Sequence, residues 1–188
     1  MALNKTLALV LVLGIWLGAS VLLLWVVGSS FPGVERAVVE NEKLAQKAGF
    51  EPGDAAARKI SVPWVVTGEL NRQYFAGWNA GQLVLAGAAL VLAARCRQRA
   101  AFMSLCVAAL IVLVLTFWLA PELTTLGRAL DFVPRDPPPP AEARFMGIHR
   151  WYTALEIAKV ALVALAVKLG ARPRNGGEGS GISSQPEA

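Results

Sequence analysis

Leu7 to Val27 reads LALVLVLGIWLGASVLLLWVV, 21 apolar or small residues with no ionisable group among them. The hydrocarbon core of a bilayer is roughly 30 Å thick, and about 20 residues of helix cross it. Two further stretches share this property: nothing is charged between Arg72 and Arg95, nor between Arg99 and Glu122. A fourth, Trp151 to Val167, is apolar apart from Glu156 and Lys159. A soluble chain of 188 residues has no core large enough to bury four such stretches. In lipid, every backbone polar group needs a partner within the protein, which leaves helices and closed barrels. Barrel strands alternate apolar and polar residues over about ten positions, a pattern these runs lack. The fold class expected is all-α, an integral membrane four-helix bundle with helices at about 7–30, 74–94, 100–120 and 144–169.

The first run imitates a secretory signal, because Lys5 precedes it and Gly18-Ala19-Ser20 looks like a cleavage site. It continues through Val21 to Val27, past the end of any signal core, and reads as a retained helix. Ser29-Ser30-Phe31-Pro32-Gly33 reads as its stop. An outer loop at 31–73 follows. Within it, Glu35 to Ala48 favours a short amphipathic helix, and Gly49 to Asp54 breaks it. Val62 to Val66 is too short to span and is expected to rest at the interface, with Trp64 among the headgroups. The second outer loop, 121–143, contains Pro137 to Pro140, an extended polyproline stretch. Residues 171–188, rich in Gly, Ser and Glu, read as a disordered cytoplasmic tail of a single domain. Gly14 with Gly18, and Gly77 with Gly81, have the spacing that lets membrane helices approach closely. Cys96 and Cys106 form no metal or disulfide pattern.

A formal net charge of +5 raises the question of nucleic acid, and the position of the charge answers it. The N-terminus, the 95–99 turn and the tail hold seven basic residues against two acidic ones, which is the whole excess. The 29–73 segment holds six of each sign and the 120–150 segment four of each. Basic residues collect on the cytoplasmic side of membrane proteins. Three arginines in the turn Arg95-Cys96-Arg97-Gln98-Arg99 therefore place both termini inside. The location expected is an integral membrane one, N-in and C-in. The partners expected are the lipid bilayer and either a second copy or another membrane protein, with no nucleic acid.

The fourth helix carries the polar residues. At about 100° per residue from His149, Tyr152, Thr153, Glu156 and Lys159 fall with it inside about 120° of arc. Depth follows from the 1.5 Å rise: Glu156 lies about 9 Å below Arg150, Asn79 about 10 Å below Arg72, and Thr116 about 9 Å from Glu122. Gln82 lies one turn deeper than Asn79. The expected polar cluster is thus Asn79, Gln82, Thr116, Tyr152, Thr153, Glu156 and Lys159, with His149 at its mouth. A charge at a helix centre costs roughly 2.5–3.5 kcal/mol on insertion scales, which pairing Glu156 with Lys159 would offset. Such a pair reads either as a neutralised helix contact or as a site for a proton, ion or polar ligand.

The chain has no HExxH, P-loop, GxSxG or dinucleotide fingerprint, so no catalytic residue is assigned and no enzyme is expected. His149 and Glu156 sit roughly 10 Å apart along the axis and cannot chelate one ion unaided, and Met146 with His149 is a thin copper signal. No metal site and no cofactor are assigned. Three function classes remain. The first is an integral membrane protein handling an ion or polar solute at the cluster. The second is a subunit docking a partner through its outer loops, with Trp64 and the prolines. The third is a membrane metal or redox enzyme using His149 and Glu156.

The order of these features resembles the transmembrane protein 205-like family, known in bacteria as domain of unknown function 4149. Trp16-Leu17-Gly18 in the first helix, Tyr74-Phe75 at the second and Ala120-Pro121-Glu122 with Arg128 after the third carry the resemblance. The fourth opens with Arg144-Phe145-Met146-Gly147-Ile148-His149-Arg150, whose Phe-x-x-x-His entry is the most telling part. The resemblance covers most of residues 10–170. The first outer loop is longer than the family pattern, and its Ala-Gly and Phe-Pro landmarks are blurred. It implies a four-pass membrane protein and no established activity.

Overall fold

The structure, a computed structural model, describes residues 4–38, 41–47, 63–133 and 137–171. Among these residues every regular element is helical. They are α1 (Lys5–Val38), α2 (Glu42–Lys47), α3 (Pro63–Arg95), α4 (Arg99–Val114), a π-helical turn (Leu115–Leu119), α5 (Ala120–Ala129) and α6 (Pro140–Gly170). Among the described residues, three stretches are long and apolar enough to cross a membrane: Lys5–Val34, Val65–Arg95 and Arg99–Ala129. α6 is equally long but too rich in charge to join them. α1 packs on α3, α3 on α4, α4 on α6, and α6 on α1.

Burial supports a lipid environment. Six alanines, Ala86, Ala89, Ala93, Ala101, Ala108 and Ala166, are buried in the contacts of α3, α4 and α6, beside larger residues such as Leu9, Leu13, Trp16 and Leu105. Large apolar side chains point outward, among them Trp25 at 69% exposure and Val84 at 72%. In water, such a surface would be an aggregating patch. In lipid it is the expected arrangement, since helices there associate through close packing of small residues. Three such helices fit a membrane protein.

The helices run further than the stop signals in the sequence. α1 passes through Pro32 to Val38 instead of ending near residue 30. The carbonyl left without an N–H is that of Gly28, a gap that membrane helices tolerate; just before the proline, Ser29 and Ser30 donate to the carbonyls of Val26 and Val27. α3 is already helical from Pro63, because a proline at the first position has the right φ and no N–H to satisfy. The segment expected to lie at the interface is thus part of a helix. The side chain of Trp64 lies outside the described residues. α2 falls inside the short helix expected at 35–48. Residues 48–62 and the tail beyond Ala171 are outside the description.

The third helix does not stop at Pro121. That proline has no N–H for the carbonyl of Phe117, and its ring would crowd it. The π turn at Leu115–Leu119 takes up this mismatch, and the helix goes on as α5. The polyproline stretch ends in a cap: Pro139 is extended, with φ −69° and ψ 148°, and Pro140 opens α6. At the other end, Arg97 has a positive φ of 54° in the turn between α3 and α4. Gln98 Nε2 donates to Gly170 O at 2.9 Å, tying this turn to the end of α6. A Cβ on Gly170 would meet Gln98 Oε1 at 3.1 Å, so a larger residue would push this contact apart.

Arg72 links α3 to the turn after α5, with Nη2 2.8 Å from Asp131 Oδ2 and Nε 2.9 Å from Glu69 Oε2. Both Arg72 and Asp131 are partly shielded, so this pair contributes more than a solvated one. Asp131→Asn is expected to lower stability by about 1 kcal/mol, measured by denaturation in detergent.

Candidate functional site

Two buried stripes meet inside the helices. On α3 the stripe is Thr67, Asn71, Asn79 and Gln82, followed by Ala86, Ala89 and Ala93. Its N-terminal half is polar, and its C-terminal half is alanine. On α6 the stripe is Tyr152, Glu156 and Lys159, followed by Val163, Ala166 and Gly170. These positions repeat at helical spacing, so one face of α6 carries every buried polar group of that helix. The polar halves of the two stripes lie against each other.

Gln82 is the hub. Its Oε1 accepts from Lys159 Nζ, and its Nε2 donates to Glu156 Oε1 at 3.3 Å and to Asn79 Oδ1 at 3.4 Å. Lys159 Nζ also donates to Glu156 Oε2, closing a triangle. Tyr152 donates to Asn79 Oδ1 at 3.2 Å. Lys159 has 0% exposure and Glu156 is buried, so this ion pair is removed from solvent. The contacts at 3.3–3.5 Å are long and weak, so the ammonium holds the network together. The Lys159 ammonium also lies 5.5 Å from the centre of the Trp78 ring, within range of a cation–π contact.

Five of the eight residues expected at the cluster come together: Asn79, Gln82, Tyr152, Glu156 and Lys159. Three do not. His149 is exposed and stacks on Phe145, with ring centres 5.9 Å apart and planes 9° from parallel. Thr153 is exposed and donates to the carbonyl of His149. Both fall on the same side of the arc, Thr153 at its end, and α6 buries the other side, from Glu156 round to Lys159. Thr116 is on the π turn, with its hydroxyl buried and bonded to nothing in the network. His149 does not meet Glu156, and no group of three His, Cys, Asp or Glu able to hold a metal is assembled among the described residues.

Two participants escape a sequence reading. Trp16 is completely buried, with its Nε1 3.5 Å from Gln82 Oε1. Ser20, one turn on, donates to Trp16 O. A tryptophan in an apolar run signals bulk, and nothing local shows that its N–H faces a glutamine on another helix. Trp78 precedes Asn79 and could have been found from its place on α3.

No family model, curated protein or solved structure matches this chain. The functional reading therefore rests on the geometry of the site.

Above the cluster, Phe75 meets Tyr152 edge to face, with ring centres 5.4 Å apart. Beyond that lie Asn71, whose side-chain amide is 3.2 Å from the Ser30 hydroxyl, and Thr67, whose buried hydroxyl has no partner among the described residues. Polar groups thus line one face of α3 from Thr67 to Gln82, about 22 Å of helix. Chemically, the pair can hold a proton on either member. Ammonium with carboxylate and amine with carboxylic acid are both neutral overall.

Proposed function

We propose that the chain is a four-pass integral membrane protein of a bacterial inner membrane, with both termini in the cytoplasm. Its four long helices form a bundle whose Glu156–Lys159 pair takes up and passes on a proton. One observation carries this reading: a lysine without exposed surface is paired with a glutamate on the one long helix that gives up apolar composition to hold them. Packing alone does not call for such a pair. Apolar residues of similar volume hold helices together equally well without the desolvation cost. Ionisable residues inside membrane segments ordinarily mark proton or ion pathways. The polar face of α3 supplies an approach from the outer end, with Phe75 and Tyr152 across it. The reading also takes the chain as a relative of the transmembrane protein 205-like family, on the strength of the Phe-x-x-x-His spacing of Phe145 and His149 in its sequence.

The test is proton flux in proteoliposomes, followed with an entrapped pH-sensitive dye. Glu156→Gln is expected to slow flux by about 100-fold or more, the usual consequence of removing a proton-transfer group. Equal flux from folded wild type and variant would end the proposal. The competing reading makes the pair a clamp between helices and is favoured by its closed set of contacts among α1, α3 and α6. It predicts a loss of stability without any flux to lose.

A further inference from the structure

A half-open groove of about 460 Å³ runs between the π-helical turn and α6, and none of its lining belongs to the Glu156 network. Trp118 and Leu119 form one wall, and Ile148, Trp151 and Leu155 the other. Glu122 and Arg144, paired with each other, lie at the same groove. The volume lies within the usual range of ligand sites, about 300–1,000 Å³. A π turn bulges the helix wall and is a frequent companion of binding sites. Here it leaves Trp118 and Trp151 largely exposed beside the groove, as tryptophans stand at the headgroup level of a membrane.

We propose that this groove binds one zwitterionic phospholipid of the phosphoethanolamine class. An acyl chain lies along the apolar walls, the phosphate on Arg144 and the ammonium on Glu122. Charge complementarity selects a zwitterionic headgroup, and a primary ammonium, unlike a quaternary one, has N–H donors for the Glu122 carboxylate. The groove offers one cation and one anion side by side, and a zwitterionic headgroup meets both by exchange of partners at no change in net charge. The Arg144 side chain is 67% exposed and commits Nη2 to Glu122, so the rest of its fork is presented outward, in a geometry suited to phosphate. An anionic headgroup would satisfy Arg144 and be repelled by Glu122. A diacylglycerol would leave both unused. The inference rests on the helices lying in lipid and is independent of the proton-transfer reading.

The purified full chain, titrated in detergent with phosphatidylethanolamine, phosphatidylglycerol or diacylglycerol, is followed by native mass spectrometry. Phosphatidylethanolamine is expected to bind about tenfold more tightly than either of the others, a difference of about 1.4 kcal/mol. Arg144→Gln, Glu122→Gln and the groove-filling Leu155→Trp are each expected to abolish that preference, with circular dichroism confirming the fold. Should Leu155→Trp fail to fold, the two surface variants decide. Equal or tighter binding of phosphatidylglycerol overturns the proposal, as does an unchanged preference in Arg144→Gln or Glu122→Gln. Loss of proton flux in Glu156→Gln leaves lipid binding intact, so the two proposals fail separately.

Discussion

Lys159→Met is expected to lower the unfolding free energy in detergent by about 3–5 kcal/mol, the cost of leaving one buried charge without its partner. Lys159 has no exposed surface through which water could take over its role. With the ammonium gone, the Glu156 carboxylate keeps only a 3.3 Å bond from Gln82, and Gln82 Oε1 keeps only the 3.5 Å approach of Trp16. Neither compensates a carboxylate inside the protein. The double variant Glu156→Gln with Lys159→Met removes both charges together and is expected to return to within about 1 kcal/mol of wild type, since a neutral pair has no desolvation cost to offset. Denaturation followed by circular dichroism measures all of these proteins. Wild-type stability in the single Lys159 variant would mean that the pair is not buried as described.

Trp16→Ala has the second large effect, about 3–5 kcal/mol, by the same measurement. Trp16 is the largest fully buried side chain and packs among Leu9, Leu13, Ala86 and Ala89 in the same cluster. In lipid the loss comes from missing packing contacts, because solvent offers no hydrophobic gain between helices. The indole N–H contributes little, as its contact with Gln82 is at the outer limit for a hydrogen bond. Trp16→Phe should therefore lose only about 1–2 kcal/mol, since the ring still fills most of the space. Equal losses in the two variants would shift the weight from the ring to the N–H.

Particular residues show how far the sequence could be read. Glu156 and Lys159 were legible because two charges three positions apart on an apolar helix must share a face. Tyr152 follows from the same spacing. Asn79 and Gln82 were legible by depth, which depends only on distance along the chain. Thr116 was grouped with them by depth alone, and depth says nothing of direction: it sits in the π turn, where the residue spacing departs from the α-helical one, and its hydroxyl does not join the network. His149 and Thr153 were lost for a milder reason: the arc that holds them is wider than the strip α6 buries. The ends of α1 and α3 were misread because proline is a weak stop in a membrane helix and a good start for any helix.

Medium, number of apolar runs and position of charge along them were all present in the order of amino acids, because each is a property of residues counted one at a time. Which groups touch was a matter of how the helices turn about their axes. The fit of the alanines of α3, α4 and α6 with Leu9, Leu13 and Trp16 of α1 sets that rotation, and with it brings Gln82 between Trp16, Glu156 and Lys159. Hydrogen bonds between helices depend on angles around three axes at once, and no single stretch of sequence carries that information.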